Sequence, residues 1–331
     1  MDRQDTCQEC KLLHMITTPT VLILGAGASK SYGFPTGEEL KREICEELNA
    51  DNIKSLILTL GEYDIRGALC QAGFAKQLIQ QFRDKLARSP RSSVDAFLEH
   101  QPEYVQVGKA AMAAVLLTHE NDRTLFESRD SWYALLFREM CGEFDSIGKN
   151  QLTILTYNYD TSLERYFYEG LCTSYPQSND SCKLIAEKLP IIHLHGLLGE
   201  HQYGDGLNHV DLTRSAESIK IISDDVWNDP VFQRANKALS NAVRIVFLGF
   251  GYNPTNLGRL DLSSDYTSNK YGSAMGAQKP NASIYGTCLD LTEHEMKQIC
   301  SRFSQRFKRT LHLGHHQWDA YRFLRERDVL S

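Results

Sequence analysis

The chain contains no apolar run approaching the ~20 residues that a membrane helix requires. Its first ten residues, MDRQDTCQEC, are polar where a secretory leader would carry an apolar stretch. A soluble, cytoplasmic protein is therefore expected, with no membrane partner. Positive charge is not in excess either. The 36 Lys and Arg stand against 42 Asp and Glu, a net charge of −6, which argues against a protein built mainly to hold nucleic acid. The nine cysteines are scattered and odd in number, a pattern of reduced thiols rather than of a disulfide framework. The one close pair, Cys7 and Cys10, lacks the second pair or the two histidines that a structural zinc needs. No metal site is expected. Internal repeats and low-complexity tracts are absent as well. With 331 residues, 42% hydrophobic and 24% charged, the chain can bury one large core or two smaller ones.

The rest is organised around VLILGAGASKSYGFPTG, residues 21–37. Four apolar residues, Val21 to Leu24, read as a buried parallel strand that breaks into residues with almost no side chain. Gly25 and Gly27 allow a sharp turn and close approach of a ligand. Such a loop usually presents its backbone N–H groups to a dinucleotide's phosphates. The G-x-G-x-x-G fingerprint is incomplete, since Lys30 stands where the third glycine belongs.

Residues 1–18 read as an arm. Thr36 and Glu39 form a capping box that starts a helix to about Asn49. From 51 to 149 the pattern is helical without a clear strand, with apolar residues at three- and four-residue spacing (Leu78, Phe82, Leu86; Trp132, Leu135, Leu136, Met140). This stretch is too long for a plain crossover and reads as a helical subdomain inserted into an α/β core, able to wall one side of a cleft. Strands return at 151–157, 190–194, 243–248, 283–289 and 310–313, with a short candidate at 219–222, an ambiguous stretch at 183–189 and helices between. Residues 255–282, rich in Ser, Asn, Gly and Tyr, are expected to form a long surface loop. The fold class is thus α/β, a Rossmann-like parallel sheet with an inserted helical subdomain.

Four loops at the carboxyl ends of strands present unusual residues: Gly25-Ala26-Gly27-Ala28-Ser29, Thr156-Tyr157-Asn158-Tyr159-Asp160, His193-Leu194-His195-Gly196 and Gly249-Phe250-Gly251-Tyr252-Asn253. In an open α/β sheet ligands bind at this edge. Together the four loops resemble the sirtuin family, and specifically its bacterial NAD-hydrolysing branch of antiviral defence. GAGAS resembles the family's NAD-binding opening, and Gly33-Phe34-Pro35 the turn after it. TYNYD is similar to its Thr-x-Asn-x-Asp element, and His195-Gly196 to its catalytic His-Gly. LGFGYN at 248–253 sits where the family has its adenosine-binding turn, and Ser93–Leu98 is like a helical element of this branch. The resemblance implies contacts to NAD+ from residues 25–29, Phe34, Pro35, Thr36, Tyr157, Gly249, Phe250, Gly251 and Asn253. It also implies a toxic effector that depletes NAD+ and is held in check by homo-oligomerisation or by a separate sensor or ATPase partner.

The chain departs from protein-deacylating sirtuins in two places. It has no cysteine from 183 to 287, where their four-cysteine zinc module lies, and Thr36-Gly37-Glu38 replaces the Asp-Phe-Arg after the turn. NAD+ cleavage needs neither. Breaking the nicotinamide–ribose bond develops oxocarbenium character, so the protein has to orient the ribose and deliver water or a ribose hydroxyl. An asparagine can hold either without titrating, and a histidine near its ordinary pKa can take a proton at neutral pH. Asn158 is assigned to orientation, His195 to general-base catalysis and Asp160 to the nicotinamide-ribose side. Other readings stay open: Asn158 or Asp160 as helix caps, His195 as a core histidine, and the chain as an NAD- or ADP-ribose-binding regulatory module, a deacylase or an ADP-ribosyltransferase. His193 is expected to be structural.

Overall fold

A computed structural model describes residues 15–49, 55–58, 61–199, 212–221, 229–262 and 282–330. Strand β1 (Thr20–Leu24) is followed by a small antiparallel pair, β2 (Ser55–Leu58) and β3 (Gly61–Asp64), that stands apart from the main sheet. Then come β4 (Leu152–Thr156), β5 (Ile191–His193), β6 (Arg244–Leu248), β7 (Ser283–Gly286) and β8 (Leu311–Leu313). The six strands outside the small pair make one all-parallel sheet in the order β5-β4-β1-β6-β7-β8. This is the doubly wound order of a Rossmann-like α/β fold, and its direction reverses between β1 and β6.

The strand residues alternate between two cores, as the two-residue period of a strand requires. Leu22, Leu24, Ile154, Val246 and Leu248 face a core shared with the helices Lys76–Arg88, Val94–Leu98, Val105–Thr118 and Trp132–Met140. Val21, Ile23, Leu155, Ile245 and Phe247 face the other core, with the helices Pro230–Asn241 and Glu293–Phe307. Residues 65–140 are therefore a helical layer on one face of the sheet, sharing its core. The Val105–Thr118 helix runs through the middle of that layer, with Ala110, Ala111, Met112, Ala113 and Ala114 all at 0–1% exposure. From Ala110 to Leu117 it is apolar all round, as an enclosed stretch of helix needs.

Three expectations require correction. The β2–β3 pair lies in the stretch expected to be wholly helical, because two four-residue strands give too little periodicity to separate from a helix. The candidate strand at 219–222 is instead the end of a helix, Leu212–Ser218, followed by a single bridge from Ile219 to Gly196; residue 222 lies outside the described residues. Part of the expected 255–282 loop is ordered: Asn253 caps a short helix, Pro254–Gly258, and Leu260 and Leu262 are buried. Residues 263–281 lie outside the described residues, as do Cys7, Cys10 and most of the arm. From Ile16 onward the chain is tied down: that residue is fully buried, its N–H donates to Asn150 Oδ1 at 2.7 Å and its carbonyl accepts from Gln151 at 2.7 Å. The ambiguous stretch at 183–189 falls at the end of a helix, Asn179–Ala186, capped by Ser178. Among the described residues no helix is long and apolar enough to cross a membrane.

Candidate functional site

Register brings the loops together. Leu24 lies level with Thr156 on one side and Leu248 on the other, and Thr156 is level with His193. The loops that begin at 25, 157, 194 and 249 thus leave the sheet at one height, at the strand-order reversal. Above them lies a cavity of about 730 Å³, within the usual range of small-molecule sites. Gly25, Ala26, Ser29, Phe34, Pro35, Thr36, Tyr157, Asn158, Asp160, His195, Phe250, Gly251 and Asn253 line it. Gly27, Ala28 and Gly249 do not. They form the wall behind.

The glycines serve loop–loop contact. The Gly25 and Gly27 N–H groups donate to the carbonyls of Leu248 and Gly249, both at 3.0 Å. A Cβ on Gly25 would lie 2.6 Å from the Gly249 oxygen, and one on Gly249, whose φ is +56°, only 1.9 Å from the Ala28 nitrogen. The N–H groups of Ala28 and Ser29 close a 3₁₀ turn onto Gly25 and Ala26. Four donors expected to cradle phosphates are therefore committed to backbone carbonyls, because the loop is wound tightly enough to pack against its neighbour. The buried indole of Trp132 holds the turn from below, its Nε1 donating to the Ala28 carbonyl at 2.8 Å.

Ser29 links the two polar residues of the second loop. Asn158 Nδ2 donates to Ser29 Oγ at 2.9 Å, and Ser29 also acts on the Asp160 carboxyl, lowering its pKa. Asn158 Oδ1 is left buried with no partner among the described residues. Asn158 does not cap the following helix, Ser162–Ser174, whose N-cap is Thr161. Asp160 does act locally, accepting from the Ser162 N–H at 3.3 Å and from its hydroxyl. Burial pushes its carboxyl above the usual range, against those hydrogen bonds.

The two histidines of the HLHG element have different surroundings. His193 places Nε2 2.7 Å from Glu164 Oε1 and Nδ1 3.1 Å from the Asn158 carbonyl. Burial by itself disfavours its charged form, but Glu164 and the Asn158 carbonyl outweigh this and raise its pKa above the ordinary value. It is the structural histidine that the sequence suggests, and it carries the Asn158 loop. His195 is 6% exposed, and its Nε2 is buried without a partner among the described residues. Its ring meets Tyr157 edge-on at 5.0 Å. Burial, helped by the Arg259 cation, pushes His195 down to about 3. That corrects the expectation of an imidazole near its ordinary pKa: at neutral pH His195 is a neutral, weakly basic ring.

Several cavity residues escaped the sequence reading. Asp95 and Glu99 come from the helix Val94–Leu98 and its end. Arg259, 6% exposed, donates to Glu99 Oε1 at 2.9 Å. Tyr252 is held at φ +50° by a hydrogen bond from its hydroxyl to the Thr287 carbonyl at 2.8 Å. Arg302 also lines the cavity. Asp95 lies within the Ser93–Leu98 element, so that resemblance was its only signal; Arg259 stands in a Ser/Asn/Gly-rich stretch with no periodicity to mark it. Among the described residues no group of three or more His, Cys, Asp or Glu could hold a metal ion. No protein-family model matches the chain, and no curated protein matches it.

Proposed function

We propose that the chain cleaves NAD+ at the nicotinamide–ribose bond, giving nicotinamide and ADP-ribose. The observation that carries this reading is a pair of buried polar atoms without partners, Asn158 Oδ1 and His195 Nε2, on two residues that line one cavity at the strand-order reversal of the sheet. Leaving such atoms unsatisfied costs about 1–3 kcal/mol each, a cost that a bound ribose or water would remove. An amide oxygen accepts a proton from a ribose hydroxyl or a water and orients it, and a neutral imidazole nitrogen accepts the proton released on attack. NAD+ is then substrate, and no metal takes part in the proposal. The resemblance to the defence branch of the sirtuins extends the proposal to a toxic effector restrained by self-assembly or by a separate sensor or ATPase.

A second reading, a nucleotide-binding regulatory module, draws on the low basicity of His195. Nicotinamide release from NAD+, followed by chromatography, separates the two. Cleavage predicts release by the wild type and a loss on the order of 10²-fold or more in both Asn158→Ala and His195→Ala. Equal rates in all three proteins would remove the enzymatic reading.

A further inference from the structure

In the cleavage reading, on which this inference rests, His195 accepts a proton at Nε2, yet burial and Arg259 both oppose a charge on the ring. Something must select the tautomer with Nε2 unprotonated and offset that charge. The other ring nitrogen faces a carboxylate: His195 Nδ1 lies 4.0 Å from Asp95 Oδ1. The same oxygen accepts the Tyr159 hydroxyl, and the Tyr159 ring lies 6.0 Å from the imidazole. The acid at 99 is differently placed, being engaged by Arg259 at 2.9 Å. Asp95 is bonded to a neutral hydroxyl; burial raises its pKa, while the Tyr159 hydroxyl and the Arg259 charge favour the carboxylate that can accept from the imidazole. Its position is set by the helix Val94–Leu98, whose cap Ser93 accepts from the Ala96 N–H.

We infer that Asp95 is a positioning residue of this site, holding His195 as the Nδ1–H tautomer and stabilising the imidazolium that forms during attack. A neutral imidazole has one proton, and a carboxylate beside Nδ1 draws it there, leaving the Nε2 lone pair free to accept another. A water bonds to C1′ of the nicotinamide ribose and gives its proton to Nε2. The C1′–N bond breaks with its electron pair going to the ring nitrogen, so nicotinamide leaves neutral. The new positive charge on His195 then faces Asp95. At 4.0 Å the pair is a small side-chain rotation from a hydrogen bond of about 2.7–3.2 Å. The groups facing the imidazole are Asp95, Glu99, Arg259, Tyr157 and Tyr159.

Two readouts test this, one independent of the reaction. In ¹⁵N-histidine-labelled protein without nucleotide, the His195 signals, assigned with His195→Gln, are expected to be those of the Nδ1–H tautomer. In Asp95→Asn they should shift toward the Nε2–H tautomer, with an unaltered melting temperature certifying the fold. Tyr159→Phe, which leaves the carboxylate in place, should keep the Nδ1–H tautomer. Where nicotinamide release is measured, Asp95→Asn should lower kcat on the order of 10²-fold with KM within about twofold, and Asp95→Glu should restore part of it. An Nε2–H tautomer in the wild type, or signals unchanged by Asp95→Asn, overturns the inference, as does an unaltered kcat. The expected tautomer change in a protein that releases no nicotinamide would uphold the Asp95–His195 pairing and remove the NAD+ reading alone.

Discussion

Two histidines, two positions apart, place opposite pH dependences on the molecule. His193 has a folded pKa raised above the ordinary imidazole value by Glu164 and the Asn158 carbonyl, against the pull of burial. Its contribution to stability is fully present below about pH 6.5 and is lost as pH rises through the folded pKa. For His195 the folded pKa is lowered to about 3 by burial and by Arg259, while the unfolded chain binds that proton near pH 6.5. The native state is then weakened as pH falls below about 6.5, by roughly 2 kcal/mol at about pH 5. Melting temperatures measured across pH should therefore fall on both sides, and each variant should remove one side. His195→Gln should flatten the acid limb and His193→Gln the alkaline one, the latter by removing the imidazole that pairs with Glu164. An acid limb unchanged in His195→Gln would mean that the ring is charged in the folded protein.

The elements divide by what fixed them. The capping boxes at Thr36–Glu39 and Thr292–Glu295 are legible as local spacing and both are formed. The buried strands are legible as apolar runs and lie where expected. The β2–β3 pair and the helix Leu212–Ser218 were not legible, because elements this short leave little periodic signal. The glycine loops were legible as loops but not in their purpose. Gly25, Gly27 and Gly249 let two strand ends touch backbone to backbone, a contact between residues far apart in sequence. Gly249→Ala is expected to destabilise by more than the ~1–2 kcal/mol of its left-handed φ, since the added carbon also meets the Ala28 nitrogen. Denaturant unfolding measures this, and a loss under 1 kcal/mol, below that range, would mean that the loops separate easily. Trp132→Phe keeps most of the packing but leaves the buried Ala28 carbonyl without its indole donor, at a cost of about 1–3 kcal/mol. The same unfolding curve reads it.

For the whole molecule, the doubly wound strand order does the work that no single motif does. Equal register at Leu24, Thr156 and Leu248 converts loops far apart in sequence into one cavity rim, and the helical layer supplies its other wall through Asp95, Glu99 and Leu116. The rim was legible in the sequence because its residues end apolar runs. The wall was not, because Asp95 and Arg259 acquire meaning only from what they face. The central claim is that this cavity breaks the nicotinamide–ribose bond, and proton NMR of NAD+ incubated with the purified chain tests it most directly. The expected spectrum loses NAD+ and gains nicotinamide and ADP-ribose in equal amounts, and Asn158→Ala leaves NAD+ intact. NAD+ that saturates the wild-type protein by calorimetry and yet remains whole in that spectrum would contradict the claim.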